Sequence, residues 1–179
     1  MEAKDIINFW FHELSDGQHF AKDAKLDSAI RERFGLIHRA AVRGELFEWR
    51  ALPEGRLAEI IVLDQFLRNI FRDTRESFAQ DPQALTLAQE MVASGQDQKL
   101  SVEQRVFAYM PYMHSESKLI HEQAERLYSQ PAMEGALAYE VRHKVIIESF
   151  GRFPHRNAIL GRMSSEQEKA FLKLPGSSF

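Results

Sequence analysis

Hydrophobic residues recur every three or four positions along most of the chain, which is the periodicity of amphipathic α-helices. The segment 27–44 shows the pattern clearly, with apolar side chains at Ile30, Phe34 and Ile37 and with Gly44 placed as a C-terminal cap. No segment has the strict alternation or the turn dipeptides of β-hairpins. The pattern therefore predicts an all-α protein of about seven to nine helices, joined by short loops and packed in antiparallel pairs.

Capping and breaking residues set the expected helix limits. Pro53 suits the first turn of a helix, and Ser101 with Gln104 has the form of a capping box. Pro111 lacks the amide that a helix interior needs, so it should end its helix, and Ser115 is placed to cap the next one. We expect helices over 6–14, 27–44, 53–73, 81–95, 101–109, 115–128, 133–150 and 154–160 and near 165, with 15–25 as a polar turn.

Polar side chains form one stripe on the otherwise apolar helix predicted over 53–73. At about 100° per residue the stripe is roughly 140° wide, and its members are Asp64, Gln65, Arg68, Asn69 and Arg72. A helix that is apolar almost all round is normally buried, and burying a charge costs several kcal/mol unless it is paired. The stripe should therefore meet partners from elsewhere in the chain or line a cavity that holds something polar.

Composition narrows the classes of protein and partner. The chain has 179 residues, of which 44% are hydrophobic and 27% charged, so residues 1–179 are expected to form a single helical domain. It has no apolar run near 18 residues, no secretory signal pattern and no cysteine for disulfides or thiolate metal sites. A net charge of −3 argues against nucleic-acid binding. We expect a cytoplasmic protein with no cofactor, no metal, and no nucleic-acid or membrane partner.

A second group of polar residues follows Gly151. Pro154 at a helix start would leave the following amides free, and His155, Arg156 and Asn157 would lie on that first turn beside Arg152. Free amides and arginines together favour an anion site. The alternative interpretation is that these arginines pair with carboxylates and hold helices together, the possible partners being Asp64, Glu116 and Glu148.

A third group lies around His114 and Glu116. His114 has the chemistry of a general base and Ser115 that of a nucleophile, although a helix cap explains Ser115 better. The histidines and carboxylates of the chain match no recognised ligand pattern such as His-Glu-x-x-His. His143 shares a helical stripe with apolar residues, where a hydrogen-bonded core histidine is the commoner outcome.

Several stretches resemble a known family over essentially the whole chain. They are Leu63–Arg72, Phe107–Glu116, Phe150–Arg162, the closing Leu174–Phe179, and Phe9–Phe11 near the start. The chain is similar to the bacterial domain-of-unknown-function 924 family. The resemblance implies a compact, tetratricopeptide-like superhelical fold and implies no activity. Leu67 stands where the family usually has proline, so a proline kink in the central helix is not expected.

The polar groups together predict an internal cleft. The leading hypothesis is a binding protein whose arginine-rich cleft takes an anionic small molecule or an acidic peptide, lined by Asp64, Gln65, Arg68, Asn69, Arg72, Glu116, Arg152, His155, Arg156 and Asn157. One alternative is an enzyme of hydrolase or lyase type, with His114 or His155 as general acid–base. Another is a helical scaffold for protein–protein interaction, with structural arginines. A single site requires Arg68, His114 and His155 to lie within roughly 10–12 Å of one another, about one helix-packing distance.

Overall fold

The computed structural model describes residues 1–178, and that range contains helices and turns but no β-strand. The α-helices are α1 (Ala3–Asn8), α2 (Asp16–His19), α3 (Ala24–Val42), α4 (Pro53–Ile61), α5 (Leu67–Ile70), α6 (Asp81–Ala93), α7 (Val102–Met113), α8 (Lys118–Tyr128), α9 (Glu134–Phe150), α10 (Asn157–Leu160) and α11 (Glu166–Phe171). Four 3₁₀ turns lie at Phe47–Ala51, Arg75–Phe78, Asp97–Lys99 and Pro154–Arg156, and two π turns at Phe9–Glu13 and Val62–Phe66. The all-α prediction is confirmed. Within residues 1–178, no helix has the length and hydrophobicity needed to cross a membrane.

Helix α4 lies in the middle of the core and packs against α1, α6 and α7. Leu57, Ala58 and Ile60 are completely buried, as the sequence predicts for so apolar a helix. Glu59 is buried with them, and its charge is met by Arg50, which donates to both carboxylate oxygens at 2.6 and 2.7 Å. The apolar surface of α4 therefore fixes where the polar residues that follow it are placed.

The later helices pack on their neighbours in sequence, α6 on α7, α7 on α8 and α8 on α9, which gives a compact helical array. Ser101 begins α7 in the expected capping box, and Ser165 begins α11 in another one. A small apolar cluster of Ile146, Ile147 and Phe153 joins α9 to the turn after it. The tetratricopeptide-like superhelix implied by the family resemblance stays a prediction.

The predicted central helix is not a uniform α-helix, because Val62–Phe66 forms a π turn between α4 and α5. A π turn takes about one extra residue, which rotates the side chains beyond it relative to a straight α-helix. The residues of the expected single polar stripe also bind different partners. Gln65 contacts Met110 on α7, whereas Arg72 binds Asp27 on α3.

Pro111 does not end its helix, contrary to the sequence-based expectation. Helix α7 continues to Met113 with Pro111 inside it. Proline has no amide for the carbonyl of Phe107, but the ladder resumes at once, since the amide of His114 donates to the carbonyl of Met110 at 2.9 Å. The longer helix makes His114 its C-cap residue and carries it to the central helix.

Two further expectations about local structure are wrong. The N-cap of α8 is Ser117 and not Ser115, whose carbonyl instead accepts a hydrogen bond from Nε2 of His121 at 2.8 Å. The segment predicted as a polar turn contains α2, which begins with a capping box in which the amide of Ser15 donates to Gln18 at 2.9 Å. In both places the exact position of a short helix depends on hydrogen bonds that periodicity does not reveal.

Substitution of Gly55 tests how closely the start of α4 packs against the preceding turn. A Cβ at this position would lie 1.9 Å from the carbonyl oxygen of Trp49, a backbone atom that cannot move freely. Gly55→Ala should therefore lower the free energy of unfolding by about 3 kcal/mol in urea denaturation. Gly35→Ala is the matched control, because a Cβ there meets nothing within 4 Å and α3 should gain about 0.5–1 kcal/mol. Equal effects of the two substitutions would contradict the packing.

Candidate functional site

The polar stripe and the group around His114 meet at Asp64, whose side chain is completely buried in the π turn. Its Oδ1 lies 2.8 Å from Nδ1 of His114 and 3.1 Å from Nη1 of Arg68. Its Oδ2 accepts a hydrogen bond from Nε2 of Gln65 at 2.5 Å. Every oxygen of this carboxylate is thus bonded, which is the condition for burying a charge.

Asp81, in the first turn of α6, extends the network. Nη2 of Arg68 lies 3.0 Å from its Oδ1, and Nη1 of Arg156 donates to its Oδ2 at 3.2 Å. Nη2 of Arg156 also donates to the carbonyl oxygen of His114 at 3.1 Å. We call Asp64, Arg68, Asp81, His114 and Arg156 the central cluster. Its two carboxylates balance its two guanidinium groups.

Two aromatic rings pack against the guanidinium of Arg156. Its guanidinium carbon lies 4.5 Å from the ring centre of Phe78 and 4.6 Å from that of Phe153. Only 6% of the residue is exposed, and burial lowers the pKa of Arg156 to about 10, against the opposing effect of Asp81. Cation–π contacts of this kind stabilise the buried cation.

The protonation states in the cluster follow from burial and charge. Burial alone would raise the pKa of Asp64, but Arg68 and His114 outweigh it and hold that pKa well below its usual value. Burial and then Arg68 lower the pKa of His114, although Asp64 opposes them. At neutral pH Asp64 is therefore a carboxylate and His114 a neutral imidazole. A carboxylate only accepts, so the imidazole proton is on Nδ1 and the lone pair on Nε2.

A second histidine–carboxylate pair provides an internal comparison. Nδ1 of His121 lies 2.7 Å from Glu140 and its Nε2 lies 2.8 Å from the carbonyl oxygen of Ser115, and the side chains of His121 and Glu140 are both fully buried. Both ring nitrogens of His121 are used within the fold. In His114, 16% of the side chain is exposed, and Nε2 makes no hydrogen bond within residues 1–178. Of the two, His114 has the nitrogen that can meet a ligand.

Two residues expected in the cleft lie elsewhere. Nδ2 of Asn69 donates to Asp27 at 2.8 Å, and Arg72 donates to both oxygens of the same carboxylate at 2.5 and 2.7 Å. These bonds hold the end of the central helix to α3. The pairing corresponds to the structural interpretation of the arginines and takes both side chains out of the central cluster.

Three more residues expected in the cleft form ion pairs and hydrogen bonds around the C-terminal turns. Arg152 binds Glu168 through two bonds of 2.7 and 2.9 Å. Glu116 binds Arg162 at 2.6 and 2.9 Å. Asn157 accepts from Arg162 at 2.9 Å. These contacts fix the segment that carries Arg156, so their part in the site is one of position.

His155 and His143 both lie beside Phe153, at 5.6 and 5.7 Å between ring centres. Burial, followed by Arg156, lowers the pKa of His155 to about 4. Burial lowers the pKa of His143 to about 3, and its Nδ1 donates to the carbonyl oxygen of Tyr139 at 2.8 Å. The ring of His143 is 6.4 Å from that of His114. The histidines thus adjoin the central cluster in their neutral form.

Sequence reasoning found Asp64, Arg68, His114 and Arg156 but missed Asp81. An acidic residue in the first turn of a helix is usually explained by the helix dipole. That explanation gave no reason to expect Asp81 to bind arginines as well. The aromatic rings on Arg156 were missed as well, since Phe78 and Phe153 read as ordinary core residues. Within residues 1–178, no group of three histidine or carboxylate side chains is arranged to hold a metal ion.

Comparison with known proteins agrees with the resemblance seen in the sequence. The model of a family described as bacterial proteins of unknown function (DUF924) matches residues 6–176. A solved structure, described as a protein of unknown function, ATU0120, from Agrobacterium tumefaciens, is similar with a TM-score of 0.91 and 40% identity over 96% of each chain. Among curated proteins none matches. These similarities bear on the fold and bring no activity with them.

The buried histidines predict a loss of stability in mild acid. Their folded pKa values lie below that of an unfolded histidine, so the stability they contribute is complete above about pH 6.5 and is lost as the pH falls toward about 4 for His155 and about 3 for His143. Between about pH 7 and about pH 5, His143 alone should cost roughly 2 kcal/mol in the free energy of unfolding. Glu140, whose pKa is raised by burial, acts in the opposite direction at the acid end.

Urea denaturation across this pH range checks the assignment. His143→Gln should flatten the decline between about pH 7 and about pH 5, because the titrating group is gone. His12→Gln, at an exposed position, is the matched control and should leave the profile unchanged. An unaltered slope in His143→Gln would show that burial of this histidine does not set the pH dependence.

Proposed function

The chain belongs to the bacterial DUF924 family, and from the geometry of its site we propose that it binds a small anionic molecule at the exposed side of the central cluster. The observation that carries the proposal is the uncommitted Nε2 of His114 beside the guanidinium of Arg68, in a place from which water is partly excluded. His121 differs in this respect, because both of its ring nitrogens are hydrogen-bonded within the protein.

Arg68 and His114 are neighbours because both contact Oδ1 of Asp64. The side chain of Arg68 is 21% exposed, and its two terminal nitrogens are occupied by Asp64 and Asp81. Its Nε makes no hydrogen bond within residues 1–178. A carboxylate or phosphate oxygen can accept from this Nε, and charge-assisted bonds of this kind are among the stronger ones in proteins.

Proton uptake by His114 completes the proposed site. The cluster is already electrically balanced, so an added anion needs an added positive charge in the same partly buried place. Protonation of Nε2 supplies that charge and turns a hydrogen-bond acceptor into a donor that faces the anion. Binding should therefore be linked to the uptake of one proton and become tighter as the pH falls toward the lowered pKa of His114.

The structure changes the part we give to Arg156. Its faces are covered by Phe78 and Phe153 and its terminal nitrogens are engaged by Asp81 and His114. We therefore assign it to holding Asp81 and the C-terminal end of α7 in place, and not to direct contact with the anion. Arg68 and His114 are the proposed contacts.

Thermal stability measured with added anions tests the proposal. Phosphate, sulfate, dicarboxylates and sugar phosphates are compared at fixed ionic strength with chloride, because screening alone shifts the melting temperature. A bound anion should give a saturable stabilisation, about 2.7 kcal/mol at a hundredfold excess over Kd, that is larger near pH 6 than near pH 8. The effect should be lost in His114→Gln and weakened in Arg68→Gln.

Arg142→Ala is the matched control, since it removes one exposed arginine away from the cluster and should keep the full shift. If every anion behaves like chloride in the wild-type protein, the central cluster is a structural network. The chain would then fit the scaffold alternative.

An enzyme is the second candidate, favoured by the bond between Asp64 and Nδ1 of His114. A buried carboxylate that orients an imidazole and a lowered pKa that keeps it neutral are features of a general base. The reaction would be of hydrolase or lyase type, with Nε2 taking a proton from water or a hydroxyl group. Turnover should then rise with pH as His114 loses its proton, whereas anion binding should fall. The enzyme candidate would be excluded if no ester or phosphoester substrate is turned over in a reaction that depends on His114.

A further inference from the structure

A second polar group without a partner lies outside the central cluster, in a cavity of about 250 Å³ between α3, α5 and the turn before α6. His38 on α3 lines this cavity and is only 5% exposed. Within residues 1–178, its Nε2 is buried and has no hydrogen-bond partner. A buried polar atom left in this state costs free energy, and such atoms in native proteins call for an explanation.

The walls of the cavity combine an apolar floor with a positive rim. Leu67 and Phe71 form the floor, and the ring of Phe71 lies 5.5 Å from that of His38. Arg39, in the last turn of α3, and Arg43, the residue that follows α3, lie at the exposed edge. The bond from Arg43 to Glu45 is long, at 3.3 Å, and both partners are largely exposed, so the guanidinium is easily diverted to another anion.

From this arrangement we propose that the cavity is a binding site for a small aromatic carboxylic acid. The aromatic body would lie on Phe71 and Leu67, and the carboxylate would meet Arg39 and Arg43 at the rim. A volume of about 250 Å³ suits a molecule the size of benzoate. A ring substituent that hydrogen-bonds, such as a hydroxyl group, would reach toward His38.

Burial, followed by Arg39, lowers the pKa of His38, so the imidazole is neutral at pH 7 and carries one donor and one acceptor. The groups that face the cavity from the other elements include Glu76 and Gln80. Glu76 is the one acidic residue on this lining, against two arginines, which favours an anion over a cation. The site is separate from the proposed anion site at His114, and the two proposals are independent of each other.

Chemical-shift perturbation in protein NMR spectra tests the proposal. The probes are benzoate and 4-hydroxybenzoate, and benzamide is the uncharged control. We expect saturable shifts at His38, Phe71 and Leu67, with 4-hydroxybenzoate binding more tightly than benzoate and benzamide at least about tenfold more weakly. The double substitution Arg39→Gln and Arg43→Gln should weaken the two acids about tenfold and leave benzamide unchanged. Arg142→Gln, another exposed arginine, is the matched control.

Two variants separate binding from folding. Ala79→Trp, at an exposed position on the cavity wall, should fill the cavity and abolish the shifts while the protein stays folded. His38→Phe should raise the melting temperature, since it removes a buried polar atom without a partner. Three results would each overturn the proposal: the absence of a saturable chemical-shift change at the cavity, binding of benzamide as tight as that of the acids, or chemical-shift changes at His114 instead of at the cavity.

Discussion

The buried charge of Asp64 is the constraint on which the arrangement of the C-terminal half depends. It lies in the π turn between α4 and α5, where the neighbouring residues Val62, Leu63 and Phe66 are completely buried. A carboxylate in such a place is tolerated only with several bonds, and removal of one partner of a buried pair costs about 3–5 kcal/mol. The partners come from its own helix and from the end of α7, so these elements are held in register with one another.

The consequence extends one step further through Arg68. This side chain cannot satisfy Asp64 alone, and its second bond recruits Asp81 at the start of α6. Asp81 in turn binds Arg156, which brings the turn after α9 into contact with α7. A chain of alternating charges thus connects segments that are far apart in sequence. It is electrically balanced, so any ion that joins it must bring or induce a compensating charge, and His114 is the residue able to provide one.

The sequence predicted the helices and the residues at the centre of the network better than it predicted their partners. Periodicity located the long helices because burial of an apolar face depends on local spacing alone. The apolar surroundings of Asp64 and Arg68 indicated a buried polar site, since few other structures tolerate such a pattern. Arg72 lies beyond the end of α5 and binds Asp27 on α3, a partner that no local signal in the sequence indicates. Pro111 shows the same limit, because tertiary packing kept α7 helical beyond it.

A double-mutant cycle between Asp64 and Arg68 measures the central claim most directly. Urea denaturation of the wild type, Asp64→Asn, Arg68→Ala and the double variant gives the coupling free energy between the two side chains. If the buried charge of Asp64 organises the network, Arg68→Ala should cost about 3 kcal/mol in the wild type and less than about 1 kcal/mol when residue 64 is asparagine. A coupling near zero, with Arg68→Ala equally costly in both backgrounds, would contradict the account.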